Sequence, residues 1–234
     1  MVSNPLPDLD ECLKNYKRLR IAGQWLNNTL TQQVSKTALT ECAKKLGLLK
    51  GKVLLLGGED ELTIVFDYCL FNYRREDKNV IERYFEQHPP SPGSDEMILL
   101  QGMLRSHYSV FRVQQTYPGR GAILSDLTRL ETLLLMDVGI SSTAKPDQMF
   151  AGRVLPLGDY YMTSGTFLPI TPEISKAIMP ILVKFLQHRG RSDERLFSPS
   201  QEAALSAQII RVALRSGAMG KMRYHDVTDY QQTR

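Results

Sequence analysis

The residue types from which catalytic and metal sites are usually built are few and widely spaced in this chain of 234 residues. Its histidines and cysteines are His88, His107, His188, His225, Cys12, Cys42 and Cys69. No two cysteines have Cys-x-x-Cys spacing, and a metal ion needs several ligands held close together. The spacing therefore predicts no bound metal and no cofactor, and the odd number of cysteines does not indicate a disulfide framework.

Sequence motifs for nucleotide binding or hydrolysis are also missing. The chain has no glycine-rich phosphate-binding loop, and residues 118–121 (PGRG) lie between two predicted strands, which favours a hairpin turn. Ser164 lacks the flanking glycines of a hydrolase nucleophile. His107 opens a predicted strand and is interpreted as a partly buried packing residue. We therefore predict no catalytic residue, and an unrecognised hydrolase is the third interpretation of function.

Asp67 is the one acid whose position requires an explanation. The helix predicted from about residue 59 to residue 74 is apolar on two sides, which indicates that it is largely buried. An unpaired buried carboxylate costs several kcal/mol, so Asp67 needs a cation. We expect a structural ion pair with Arg74 or Arg83, and a functional acid is the alternative.

Charge is distributed unevenly along the chain, although the net charge is only +4. Residues 11–52 contain nine bases and two acids, whereas residues 53–104 contain ten acids and four bases. These segments, at +7 and −6, are interpreted as solvated surfaces that attract each other within the fold. A basic patch for an anionic partner is the alternative.

The pattern of apolar residues and breakers predicts an α+β protein in three segments. Residues 1–104 read as a helical lobe, and residues 171–234 as C-terminal helices and a tail. Between them, residues 105–170 contain five short strands with tight turns, which favours a small antiparallel β-barrel of the SH3-like or OB-like kind. The linker at residues 89–94 (PPSPGS) is the clearest break inside the helical lobe.

The predicted barrel carries arginine and tyrosine side chains of the kind that bind nucleic acid. The candidate binding residues are Arg112, Arg120, Arg153, Tyr160 and Tyr161. Small barrels can stack bases on aromatic rings while arginines contact phosphates. The leading interpretation is a non-catalytic interaction or scaffold protein with a protein partner not yet identified, and single-stranded RNA or DNA binding is the alternative.

Eight short runs in the chain keep a characteristic order and spacing. They are Lys45–Leu49 (KLGLL), Phe66–Tyr73 (FDYCLFNY), Asn79–Phe85 (NVIERYF), Pro89–Glu96 (PPSPGSDE), Ser125–Leu127 (SDL), Asp137–Gly139 (DVG), Arg153–Pro156 (RVLP) and Met162–Gly165 (MTSG). Over residues 45–170 the chain resembles a family of uncharacterised bacterial proteins with no assigned activity. The resemblance implies the architecture and no chemistry, and the segment beyond Pro172 lies outside it.

The sequence also indicates a cellular location. The first residues lack the basic start and apolar run of a secretory signal, and the apolar runs at residues 53–56 and 133–136 are too short to cross a bilayer. We therefore expect a cytoplasmic protein with no membrane partner.

Overall fold

A computed structural model describes residues 6–51, 53–54, 56–187 and 196–217. The helices of these residues are α1 (Leu9–Gln32), α2 (Lys36–Leu46), α3 (Glu59–Asn72), α4 (Val80–Gln87), α5 (Asp95–Leu104), α6 (Val138–Thr143), α7 (Pro172–Gln187) and α8 (Pro199–Arg215). The strands are β1 (Leu49–Lys50), β2 (Val53–Leu54), β3 (His107–Tyr117), β4 (Gly121–Asp126), β5 (Glu131–Met136), β6 (Met149–Pro156) and β7 (Tyr161–Ile170). The mixed α and β composition is as expected from the sequence.

Helix boundaries follow the capping residues of the sequence. Asp8 caps α1 by accepting hydrogen bonds from the N–H groups of Asp10 and Glu11, and Ser35 caps α2 in the same way. Gly47 ends α2 in the left-handed conformation, with φ 77°. Helix α1 continues through Gly23 to Gln32.

Strands β3 to β7 form a closed barrel in the order β3-β4-β5-β7-β6. Four of the five strand contacts are antiparallel, but β5 pairs with β7 in parallel, at Leu135 and Tyr161. The prediction of a purely antiparallel barrel was therefore wrong. A closed ring with an odd number of strands cannot alternate direction all the way round, so at least one contact must be parallel.

Apolar side chains pack on both surfaces of the barrel wall. The interior is filled by Phe111, Leu124, Leu135 and their neighbours. Outside, one core joins α2, α3, α7 and α8 to β3, β6 and β7, and a second joins α1, α3, α4 and α5 to β5 and β6. Helices thus enclose much of the barrel.

Helix α6 follows β5, and helices α7 and α8 follow the barrel. Asp137 caps α6 by accepting a hydrogen bond from the Ile140 N–H. The C-terminal helices α7 and α8 are present as expected, while the tail beyond residue 217 lies outside the described residues. Among the helices described, none combines the length and apolar character needed to span a membrane.

Candidate ligand-binding site at the barrel mouth

One end of the barrel is closed by a polar network instead of apolar side chains. His107 begins β3 and Asp126 ends β4, so the antiparallel pairing of these strands brings both to the same end of the barrel. His107 and Ser109 share with Phe111 the face of β3 that points into the barrel, because side chains alternate along a strand. The Nε2 atom of His107 lies 2.8 Å from Oδ2 of Asp126.

Asp126 is held by hydrogen bonds on both carboxylate oxygens. Its Oδ1 accepts from the hydroxyls of Ser109 and Thr128 and from the N–H groups of Thr128 and Arg129. Burial alone would raise the pKa of Asp126, but the hydrogen bonds from His107, Ser109 and the Arg129 N–H hold it below its ordinary value. Asp126 is therefore an anion at neutral pH.

Arg153 forms a second buried polar centre on the outer face of β6. Its guanidinium lies 2.5 Å from Glu202 of α8, and its Cζ lies 4.5 Å from the centre of the Phe71 ring. It also donates to Ser106 Oγ at 3.2 Å and to Asn72 Oδ1 at 3.4 Å. Because Arg153 is only 2% exposed, these partners replace water around the charge.

Asp67 lies close to the same guanidinium. Burial raises the pKa of Asp67, although the charge of Arg153 and the hydroxyls of Ser164 and Thr166 act in the opposite direction. The residue keeps some exposed surface, but its carboxyl is closely surrounded by protein atoms. Ser164 Oγ faces this carboxyl without reaching full hydrogen-bonding geometry. Arg153 thus forms an ion pair with Glu202, and its charge also acts on Asp67.

His107, Arg153 and Glu202 border a cavity of about 470 Å³, which we call the barrel-mouth cavity. His107, Tyr108 and Tyr161 contribute its aromatic wall, and Phe197 lies on the α8 side. Its charged lining residues are Arg74, Arg105, Arg129, Arg153, Glu82 and Glu202. With neutral histidine, the described residues of the lining carry two more positive than negative charges.

Two residues of the lining each have a sealed polar atom without a hydrogen-bond partner among the described residues. These atoms are Nε of Arg153 and Oη of Tyr108. Buried polar atoms in folded proteins are rarely left unpaired. Both atoms are closed to the cavity as well as to bulk solvent, so the donors that a ligand can reach are those of half-buried Arg129 and exposed Arg105.

The structure separates the five candidate binding residues of the barrel. Arg153 and Tyr161 line the barrel-mouth cavity. Arg112 and Arg120 are exposed and lie outside its lining, and Arg120 forms an ion pair of 3.2 Å with Asp10. Tyr160 is only 4% exposed, and burial raises its pKa to about 12.

The expected partners of Asp67 have other contacts. Arg74 forms an ion pair of 2.7 Å with Glu82, and Arg83 donates to the backbone carbonyl of Lys78. The cation whose charge acts on Asp67 is Arg153. Arg74 reaches the barrel-mouth cavity together with Glu82, whereas Arg83 is outside its lining.

Sequence reasoning missed the His107 and Asp126 pair. The signal available was the alternation along β3, which places His107 and Ser109 on one face. The run SDL at residues 125–127 holds Asp126, and Thr128 follows at the spacing where a side-chain oxygen can accept the N–H two residues on. Neither observation identifies the partner without the strand register.

Three groups that can ligate a metal come together at this end of the barrel. Their ligand atoms, on His107, Asp126 and Glu131, lie within 4.8 Å of one another. Asp126 already uses both oxygens in hydrogen bonds, and Glu131 is exposed. The donor set is therefore arranged as a histidine–aspartate pair and not as a vacant coordination site.

A wider groove of about 990 Å³ lies beside α6 and β7. Its enclosed acid is Asp137, which accepts hydrogen bonds from the Ile140 N–H at 2.9 Å and the Thr163 hydroxyl at 3.3 Å, near the charge of Arg20. The fold itself therefore satisfies this carboxyl, and the barrel-mouth cavity is the stronger candidate site.

Comparison with known proteins gives the family but no activity. The chain matches a model described as "Family of unknown function (DUF7986)" over residues 10–196. It belongs to this family. The match begins before residue 45 and continues past Pro172, so it covers more of the chain than the resemblance noted from the sequence. Comparisons with curated proteins and with solved structures found no match.

Proposed function

We propose that this member of the DUF7986 family binds a small anionic organic molecule in the barrel-mouth cavity. The observation that carries the proposal is the pair Arg105 and Arg129, which line the cavity and form no ion pair with a carboxylate among the described residues. An anion that accepts hydrogen bonds from both guanidinium groups would supply the missing countercharge.

The other two arginines of the cavity do not cancel this positive charge. Arg74 and Arg153 are each paired with a glutamate of the lining, Glu82 and Glu202, so the surplus lies on Arg105 and Arg129. Guanidinium groups bind carboxylates and phosphates through two parallel hydrogen bonds, which favours an oxyanion.

The size and the apolar part of the cavity support an organic ligand. Ligand cavities commonly measure about 300 to 1,000 Å³ and are lined by apolar and aromatic side chains with a few polar groups. Phe71, Met103 and Phe197 supply such a surface beside the arginines. An inorganic ion would leave this surface in contact with water.

We also infer that the barrel is OB-like. Its first strand, β3, pairs with the second and fourth strands, its third and fifth strands run parallel, and α6 joins the third strand to the fourth. OB-folds commonly bind oligonucleotides on strands two and three and the adjoining loops.

In this chain α1 covers much of that face. Leu134 and Met136 of β5 pack into the core that contains α1, and Arg120 in the first loop pairs with Asp10 of α1. Tyr160, in the loop between β6 and β7, is buried and cannot stack on a base. These contacts support a small ligand at the barrel mouth more strongly than a nucleic-acid strand on the barrel wall.

Calorimetric titration with diphenyl phosphate, phenyl phosphate and inorganic phosphate tests the proposal. We expect saturable binding of at least one organic phosphate, and Arg129→Ala or Arg105→Ala should weaken it about tenfold or more, because a hydrogen bond to a charged group contributes about 1.5 to 3 kcal/mol. Arg112→Ala removes an equal charge outside the cavity and is the matched control. Absent binding, or equal weakening by Arg112→Ala, would contradict the proposal.

A further inference from the structure

The ionised Asp126 determines which nitrogen of His107 carries the proton. A carboxylate can only accept a hydrogen bond, so Nε2, at 2.8 Å from Oδ2, must be the protonated nitrogen. In the neutral ring, Nδ1 is then a bare acceptor. The hydrogen bonds to Asp126 from Ser109, Thr128 and Arg129 fix the position of the carboxylate that holds the ring.

Nδ1 of His107 is open to the barrel-mouth cavity. The ring lines the cavity and meets Tyr161 edge to face, with centroids 6.3 Å apart. No hydrogen bond involves Nδ1 among the described residues, and it is not one of their sealed, unpaired polar atoms. A basic nitrogen with a fixed tautomer therefore faces the arginine-lined space.

We propose that His107 acts as the general base in the hydrolysis of a phosphodiester bound in this cavity, and that Asp126 positions the His107 ring. The inference rests on the proposed anion binding and adds a reaction and a substrate class. General bases of this kind need hydrogen-bond access to the proton that they remove, which the open Nδ1 provides.

The reaction needs only water as co-reactant. A water oxygen attacks phosphorus while one water proton passes to Nδ1, and the bond from phosphorus to one ester oxygen breaks. The leaving alkoxide, on the side of phosphorus opposite the attacking oxygen, takes a proton from solvent, and the imidazolium returns its proton to solvent. The second water proton remains on the new P–OH group. The products are an alcohol and a phosphate monoester, and His107 returns to its neutral form.

The charge of the cavity favours a diester. A phosphodiester carries one negative charge, and attack by water on phosphorus with proton transfer to His107 adds a second to the transition state. Among the described residues, the lining has an excess of two positive charges. Cations placed where negative charge develops stabilise the transition state more than the bound substrate. Arg105 and Arg129, which have no carboxylate partner among the described residues, would supply this stabilisation.

The test measures hydrolysis of bis(4-nitrophenyl) phosphate by the full chain, with diphenyl phosphate binding measured on the same samples. We expect turnover by the wild type, a loss of kcat of about a hundredfold or more in His107→Gln, and retained binding of diphenyl phosphate. Arg112→Ala should hydrolyse the substrate as the wild type does. In Asp126→Asn, the amide donates to Nε2 and moves the proton to Nδ1, so kcat should fall while KM is kept.

Each other outcome contradicts a stated part of the proposal. Binding without turnover in the wild type refutes the catalytic inference and leaves the proposed function standing, whereas no binding refutes both. Turnover that survives His107→Gln refutes the role of His107. Hydrolysis of 4-nitrophenyl phosphate in preference to the diester refutes the substrate class. A His107→Gln protein that fails to bind diphenyl phosphate refutes a purely catalytic role, and Asp126→Asn then decides whether the tautomer matters.

Discussion

Two enclosed aspartates show how partners decide the charge of a carboxyl group. Asp126 receives hydrogen bonds on both oxygens, and its pKa lies below the ordinary value. Burial raises the pKa of Asp67, and the charge of Arg153 opposes this only in part. Because a pKa that differs between the folded and unfolded states makes stability depend on pH, these two residues should have opposite effects.

Asp126→Asn should destabilise the protein by about 2 to 3 kcal/mol at neutral pH, since it removes charge-assisted hydrogen bonds in a buried site. The lowered pKa of Asp126 means that its stabilisation is fully present above the unfolded value of 3.8 and is lost as the pH falls through the folded value. The difference in the free energy of unfolding between variant and wild type should therefore become smaller at acidic pH. Urea unfolding over a pH series measures it, with exposed Asp147→Asn as control; a constant difference would contradict the assignment.

Asp67→Asn should show the reverse trend. The folded protein holds the proton of Asp67 more tightly than the unfolded chain, so the wild type loses stability as the pH rises above 3.8 towards the raised pKa. An amide has no charge to desolvate, and Arg153 keeps its contact with Glu202. The stability of the variant relative to the wild type should rise with pH in the same unfolding series. A pH-independent difference would show that Asp67 ionises normally.

At the residue level, the sequence reveals which side chains need partners but not which partners they find. Burial of an acid on α3 was a sound reason to require a cation near Asp67. The cation with the relevant charge, Arg153, comes from β6 and is brought there by tertiary packing. His107 and Asp126 meet only through the register of β3 and β4, which no local pattern specifies.

At the level of elements, the close contact between β6 and β7 depends on the absence of a side chain at Gly152. A Cβ atom there would lie 2.3 Å from Cδ2 of Phe167 and 2.6 Å from the carbonyl oxygen of Thr166. Phe167 fills the barrel interior and stacks on Phe111 and Phe150, so it has little room to move.

Gly152→Ala should therefore destabilise the protein by about 2 to 3 kcal/mol through overpacking. Gly23→Ala in α1 is the matched control, because its Cβ would meet its nearest neighbour at 3.8 Å, an ordinary contact. That change should stabilise the protein by about 0.5 to 1 kcal/mol, since alanine favours a helix over glycine. Thermal unfolding of both variants checks the pair; a tolerated Gly152→Ala would mean that β6 and β7 can separate at low cost.

The elements also show which local signals are sufficient. Ser35 and Gly47 identify both ends of α2 because capping is a property of adjacent residues. The segment of α6 is rich in glycine, serine and threonine, which favour loops, and it becomes helical because Asp137 caps it beside the barrel. The parallel pair of β5 and β7 depends on ring closure, which is a property of five strands together.

At the level of the whole molecule, the apolar cores cross the boundaries expected at residues 104 and 170. The core around α2 and α3 includes Val110 of β3 and Ile178 of α7, and the core around α1 includes Met136 of β5. If the helices separated from the barrel, apolar side chains of both would be exposed to water.

The chain should therefore unfold as one cooperative unit. We expect a single calorimetric transition whose calorimetric and van't Hoff enthalpies agree, because no segment keeps a complete core after another has melted. Two separated transitions would show that the helical lobe and the barrel are independent domains. An isolated 105–170 fragment provides a second check, and it should lack dispersed amide signals in an NMR spectrum.

The three buried thiols allow the opening of each apolar core to be measured separately. Cys42 and Cys69 lie in the core around α2 and α3, and Cys12 lies in the core around α1. A thiol reagent cannot reach them while those cores are closed, so its rate of reaction with each cysteine reports how often the surrounding core opens. If α1 lifted away by itself, Cys12 would be modified long before the other two. If the molecule opened cooperatively, all three thiols would react at one rate. Mass spectrometry would then find chains with either no label or three labels, and almost none with one or two.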